Sequence, residues 1–169
     1  MLERFVVVPS VYVLPSRGAG REEEILLQLR HGTGYMDEHW SFAAAGHVER
    51  GESALQAASR ETQEVGILVL PAQLESLTTM HRTHLPRHAV DERVDFFFRC
   101  RTWTGNPVVL EPAKCAELRW FPLANLPDPV VPHEQLVLDQ VGRGALPPLV
   151  TFGFPGDAGD GVRYPAHPR

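Results

Sequence analysis

Between Gly46 and Ile67 the chain sets four charged side chains at fixed intervals. Five residues separate Gly46 from Glu52, seven separate Glu52 from the pair Arg60 and Glu61, and Glu64 stands three beyond Glu61. Carboxylates and a guanidinium in this order are the parts of a site for a divalent cation and a phosphate. A hard ion such as Mg2+ takes oxygen ligands and keeps several waters, so two carboxylates plus phosphate oxygens suit it. Glu61 and Glu64 would be neighbours on a helix, where their like charges repel unless a cation sits between them. Taken by themselves, three glutamates and an arginine favour an ordinary solvated helix.

The local sequence predicts the helix that would carry them. Ser53 is a good N-cap, residues 54–65 hold no Gly or Pro, and Gly66 can take the left-handed stop. At ~100° per residue, Ala54, Leu55, Ala58, Thr62 and Val65 share one arc, the expected core face. Ala57, Arg60, Glu61 and Glu64 share the adjoining arc, expected to lie off the core. An ion pair between Arg60 and Glu52 would hold the preceding loop on the helix.

These residues resemble the signature of the Nudix hydrolases, G-x5-E-x7-R-E-U-x-E-E-x-G-U with U aliphatic. Gly46, Glu52, Arg60, Glu61 and Glu64 match in order and spacing, followed by Gly66 and Ile67. The end reads R-E-T-Q-E-V-G-I, one residue shorter than the pattern, and Thr62 replaces the aliphatic residue. Counted from Arg60, Glu64 is the first glutamate of the family's pair; counted from Gly66, it is the second. The resemblance implies a Nudix α/β/α sandwich over roughly residues 4 to 142. It also implies hydrolysis of a phosphoanhydride in a nucleoside diphosphate linked to a further group, with Mg2+ or Mn2+ held by Gly46, Glu61 and Glu64. Glu64 is the first choice for general base, and Arg60 and Glu52 would fix the carboxylate rotamers.

The rest of the chain supplies a frame for this segment. Strand signals fall at Phe5 to Leu14 and Glu24 to Arg30, a hairpin-like pair, then at Ile67 to Leu70, Leu74 to Met80, Arg93 to Cys100, Val108 to Leu110 and Glu117 to Phe121, with an apolar run at Trp40 to Ala45. A second helix is expected over His133 to Val141. In Arg93 to Cys100, Val94, Phe96, Phe98 and Cys100 alternate with Arg93, Asp95 and Arg99, giving one apolar and one charged face. Phe97 falls on the charged face, where covering a helix is favoured over stacking on a base. About seven strands and few helices predict an α/β fold with a mixed sheet between helices. Residues 1–142 are expected to form the domain. Residues 143–169 are expected to form an irregular Pro/Gly-rich tail packed through Phe152, Phe154 and Tyr164.

Three clusters outside the signature are candidates for substrate binding. Arg30 and His31 end a strand before the Gly32-Thr33-Gly34 loop, expected to be flexible, and Arg30 could reach a phosphate. His81, Arg82, His84, Arg87 and His88 form the longest basic run, either a lid over the phosphates or a surface loop. Glu111-Pro112-Ala113-Lys114-Cys115 with Trp120 resembles the E-P-x-K-C segment of MutT-like Nudix enzymes acting on nucleoside triphosphates, which implies Glu111 or Lys114 near the site.

Composition bounds the alternatives. At 169 residues and 43% hydrophobic content the chain is long enough for one full core. Its net charge of −5 argues against a general nucleic-acid surface and ranks an RNA-end substrate last, behind nucleotides such as triphosphates or ADP-ribose. Cys100 and Cys115 lack zinc or C-x-x-C spacing and read as reduced thiols in a cytoplasmic protein, with no membrane partner. An exposed strand edge at Phe5 to Leu14 would permit a homodimer. The shortened signature leaves a second class open, a nucleotide-binding or regulatory module of weak activity.

Overall fold

The computed structural model describes residues 4–164, so the last residues of the expected tail lie outside them. Strand β1 (Val8–Arg17) is the spine of the fold. It pairs in parallel with β7 (Arg93–Cys100), antiparallel with β4 (Ala44–His47), and through Ser16 and Arg17 with β2 (Glu24–Arg30). Beyond β7 lie β6 (Glu75–Arg82) and then β10 (Leu149–Phe152). On the other side β2 is flanked by β3 (Trp40–Phe42) and β9 (Cys115–Pro122). β5 (Ile67–Leu68) and β8 (Thr104–Gly105) form a separate small ladder.

Two helices cover the sheet, and the alternation of β1 decides which side chains meet each. Val11 and Val13 pack with Ala57, Ala58 and Val65 of the helical segment that begins with α1 (Ala54–Gln63). Tyr12 and Leu14 face the other way, towards Val137 and Leu138 of α2 (Pro132–Arg143). Because neighbouring residues of a strand point to opposite faces, one strand serves both cores. The result is the expected α/β architecture, a mixed sheet between helices.

Several expectations are corrected. β1 lies inside the sheet with three partners, so the strand edge expected at Phe5 to Leu14 is absent, and with it that route to a homodimer. Val108 to Leu110 forms no strand; Val108 instead donates its amide to the Val65 carbonyl at 3.0 Å, beside the close approach of Gly66 and Gly105. On α1, Ala57 is buried and Leu55 is exposed, the reverse of their assigned arcs, because the helix sits across β4 and β1. Both faces of β7 are buried: Phe97 stacks on Tyr12 with centroids 4.6 Å apart, and Arg93, Asp95 and Arg99 share the interior.

The segment expected to be an irregular tail contributes β10, parallel to β6, and delivers Phe152 and Tyr164 into the core beside α2. Phe152 sits edge-on to His133. Phe152→Ala is expected to cost about 3–5 kcal/mol of stability, as for other buried aromatic truncations. Chemical denaturation measures this, and a loss under about 1 kcal/mol would contradict the packing described.

Candidate active site

The signature segment folds as a loop clamped onto a helix. Ser53 and Gln56 form a reciprocal capping box, so α1 starts where expected. Arg60 then gathers the loop. Its Nε and Nη2 donate to the two Glu52 oxygens at 3.2 and 2.8 Å, Nη2 also donates to the His47 carbonyl at 3.0 Å, and Nη1 donates to Glu61 at 2.6 Å. Glu52 in turn accepts the Glu49 amide at 2.8 Å. The bonds from Arg60, more than the Glu49 amide, hold the Glu52 carboxyl below its ordinary value.

Helical register places Glu64. The helix runs unbroken from Arg60 to Gln63 with Glu64 as its C-cap, so Glu64 lies 3.9 Å from Arg60 at i+4 and three residues beyond Glu61. The next residue, Val65, is buried in the core, and Gly66 turns the chain with φ of +80°. The missing residue is therefore absorbed in the turn, and the spacing from Arg60 governs where the carboxylate stands.

Glu61 is only 6% exposed. Burial raises its carboxyl above the ordinary value, Arg60 opposes this, and Glu64 adds to it. Its carboxylate lies directly over Gly46, where any Cβ would collide with it.

Glu61 and Glu64 border a cleft of about 220 Å3. Arg30, Lys114 and Glu111 line it as well. Lys114 and Glu111 are paired at 2.9 Å. Arg30 is held by the Tyr35 carbonyl at 2.9 Å and the Thr33 hydroxyl at 3.0 Å. The loop expected to be flexible is organised: Asp37 accepts bonds from the Thr33 hydroxyl and from the Thr33 and Gly34 amides, which together keep its carboxyl low.

A second cleft, of about 260 Å3, adjoins the first through Arg30, Thr33 and Ala45. Gly46, His47, Arg93, Tyr12, His133 and Glu134 line it. Sequence reasoning missed Arg93, His133 and Glu134, which belong to no short motif. The one available signal was the charged face of β7, which had to point somewhere.

Arg82 does not reach either cleft. It is 1% exposed and paired with Asp95, with the Tyr12 hydroxyl 3.4 Å away. The reason is alternation along β6, which turns Thr78, Met80 and Arg82 inward together. His84 of the same basic run is buried against Asp91 at 2.8 Å, so the run forms neither a lid nor a loose loop at these positions. Trp120 is half-buried and stacks on Trp103, with the Arg17 guanidinium 4.2 Å from its ring.

Among the described residues no three His, Cys, Asp or Glu side chains gather as a closed metal cage. The donors present are two carboxylates beside a glycine backbone at an open cleft. This set fits a hard ion that completes its shell with water and substrate phosphate, and does not fit a soft or fully protein-ligated metal.

The NUDIX domain family matches residues 7–141. The chain is similar to the crystal structure of MutT NUDIX hydrolase from Burkholderia pseudomallei, at 26% identity and a TM-score of 0.62, covering 78% of this chain and 98% of that one. It shares the fold of the NUDIX domain of Shewanella oneidensis NrtR complexed with ADP ribose, at 19% identity and a TM-score of 0.63 over 82% of this chain and 88% of that one. Among curated proteins there is no match. The chain belongs to the Nudix family, as a pyrophosphohydrolase of nucleoside diphosphate-linked substrates. No helix of the described residues is long and apolar enough to cross a membrane.

Gly46→Ala should push the Glu61 carboxylate aside and lower turnover on the order of 10²-fold, as displacements of about 1 Å can do; unimpaired turnover by the folded variant would contradict the contact. Glu134 is fully buried, which raises its carboxyl from 4.5 to about 8, despite the Phe42 amide that donates to it at 2.5 Å. The folded protein thus keeps a proton that the unfolded chain releases, and this stabilisation is lost as pH rises from 4.5 to about 8. Urea midpoints across that window should fall for the wild type relative to Glu134→Gln, which has no such titration, whereas parallel profiles would contradict the burial.

Proposed function

We propose that this chain hydrolyses (deoxy)nucleoside triphosphates to the monophosphate and pyrophosphate, with Mg2+ held by Glu61, Glu64 and the Gly46 carbonyl. The observation that carries this reading is the first cleft, where Glu61 and Glu64 share one lining with Arg30 and Lys114. The resemblance of the Glu111 to Cys115 segment to MutT-like triphosphatases supports the substrate.

When bound, the ion supplies charge neutralisation across the phosphates and a more acidic water. The chain's own residues do the rest. Arg30 and Lys114 bind phosphate oxygens, Arg30 from a fixed rotamer and Lys114 as a point charge. Glu64, with nearly half of its side chain open to solvent, takes a proton from the attacking water. The water oxygen bonds to phosphorus, the bridging phosphorus–oxygen bond breaks, and its electron pair leaves with the pyrophosphate. Arg60 and Glu52 hold Glu61 in place without touching substrate.

The single Glu64 at the end of the signature keeps a second reading in view, a module that binds nucleotides with little turnover. A panel of nucleoside and deoxynucleoside triphosphates, ADP-ribose and dinucleoside polyphosphates with Mg2+ separates the two. Monophosphate release from a triphosphate is expected, reduced on the order of 10²-fold in Glu61→Gln and in Glu64→Gln. Binding without release, or release untouched by Glu61→Gln, would overturn the proposal.

A further inference from the structure

The second cleft holds a buried arginine that pairs with no carboxylate among the described residues. Arg93 is 6% exposed and lines this cleft. The other buried arginines have acids: Arg82 pairs with Asp95, and Arg99 with Glu23. No ion pair among the described residues includes Arg93. Its Nη1 donates to His47 Nε2 at 2.8 Å, which makes that nitrogen an acceptor and the ring neutral in this arrangement. Its Nε has no hydrogen-bond partner, and neither does the buried hydroxyl of Ser10, which lines the same cleft. A guanidinium left this dry and unpaired is costly unless something anionic arrives to meet it.

We infer that Arg93, with Ser10 beside it, forms an anion subsite for the terminal phosphate of the triphosphate, the phosphate beyond the anhydride that is cut. The inference rests on the proposed reaction and names which part of the substrate enters the second cleft. Arg30 lines both clefts. A polyphosphate whose reacting anhydride lies along Glu61 and Glu64 can therefore pass Arg30 and end at Arg93. The planar fork of N–H donors on Arg93 suits phosphate oxygens. Two acids bear on this cleft. Asp95 is spent on Arg82. Glu134 lines the wall, and its burial keeps it largely protonated at neutral pH. The positive charges of Arg30 and Arg93 therefore dominate the cleft. Tyr12 and His133 face it already bonded to each other at 3.1 Å.

The test uses the full chain in EDTA, so that no metal ion contributes, with inorganic phosphate as the probe and nitrogen-15 NMR as the readout. Saturable movement of the Arg93 Nε–H resonance, with smaller shifts at Ser10 and His47, is expected in the wild type and equally in Glu61→Gln. Glu61→Gln that loses turnover but keeps this binding separates the subsite from the catalytic reading. Arg93→Gln should weaken phosphate binding at least tenfold and raise KM for a triphosphate more than KM for ADP-ribose. Arg93→Lys should restore part of the binding. An Arg93 Nε–H resonance unmoved by saturating phosphate would overturn the inference. So would movement with free nucleosides and not with phosphate, which would make the cleft a heterocycle pocket. Equal rises in KM for triphosphate and ADP-ribose in a folded Arg93→Gln would overturn it as well.

Discussion

The architecture of the site depends on one guanidinium. Arg60 binds Glu52 from the loop, the His47 carbonyl from the end of β4, and Glu61 from its own helix. Burial raises the Glu61 carboxyl above its ordinary value, and Glu64 adds to the same effect. Arg60 opposes that rise and, by bonding the carboxylate, fixes its rotamer at the edge of the cleft. Loop, strand end and helix are tied together because they share this donor.

On the α2 side of the sheet a group of polar side chains is buried within the apolar core. Arg82 of β6, Asp95 of β7, Tyr12 of β1 and His133 and Glu134 of α2 are all fully or nearly buried. Glu134 satisfies the Phe42 amide, which belongs to β3, and so ties the start of α2 to the sheet beside the clefts. His133 bridges the hydroxyls of Tyr12 and Tyr164 at 3.1 Å each, linking the cleft to the segment that follows α2. That link explains why residues beyond the family match take part in the structure: Tyr164 also stacks on Tyr35 of the cleft wall. The bonded members of this group, His133 with the two tyrosines and Glu134 with the Phe42 amide, tie α2 to the sheet and to the segment that follows it.

Much of the fold was legible because its signals are local. Ser53, the uninterrupted run to Gln63 and Gly66 predict α1 by capping and stop chemistry, and Glu24 to Arg30 and Arg93 to Cys100 match their strands end to end. What failed was non-local. The partners of β1 depend on pairing across distant segments, so an apolar strand read as an edge proved central. Arg82 read as part of a basic surface run, yet the alternation of β6 turns it inward to Asp95. The signature gave one wall of the site through fixed spacing along a helix. Arg93 and Glu134 come from β7 and α2, and only the folded sheet brings them to Gly46.

The central claim is that Glu61 and Glu64 hold a divalent cation against substrate phosphates. Electron paramagnetic resonance of Mn2+ titrated into the protein with a non-hydrolysable triphosphate tests it most directly. The account predicts stoichiometric Mn2+ binding in the wild type that is lost when both glutamates become glutamine, and undiminished binding in that double variant would contradict it.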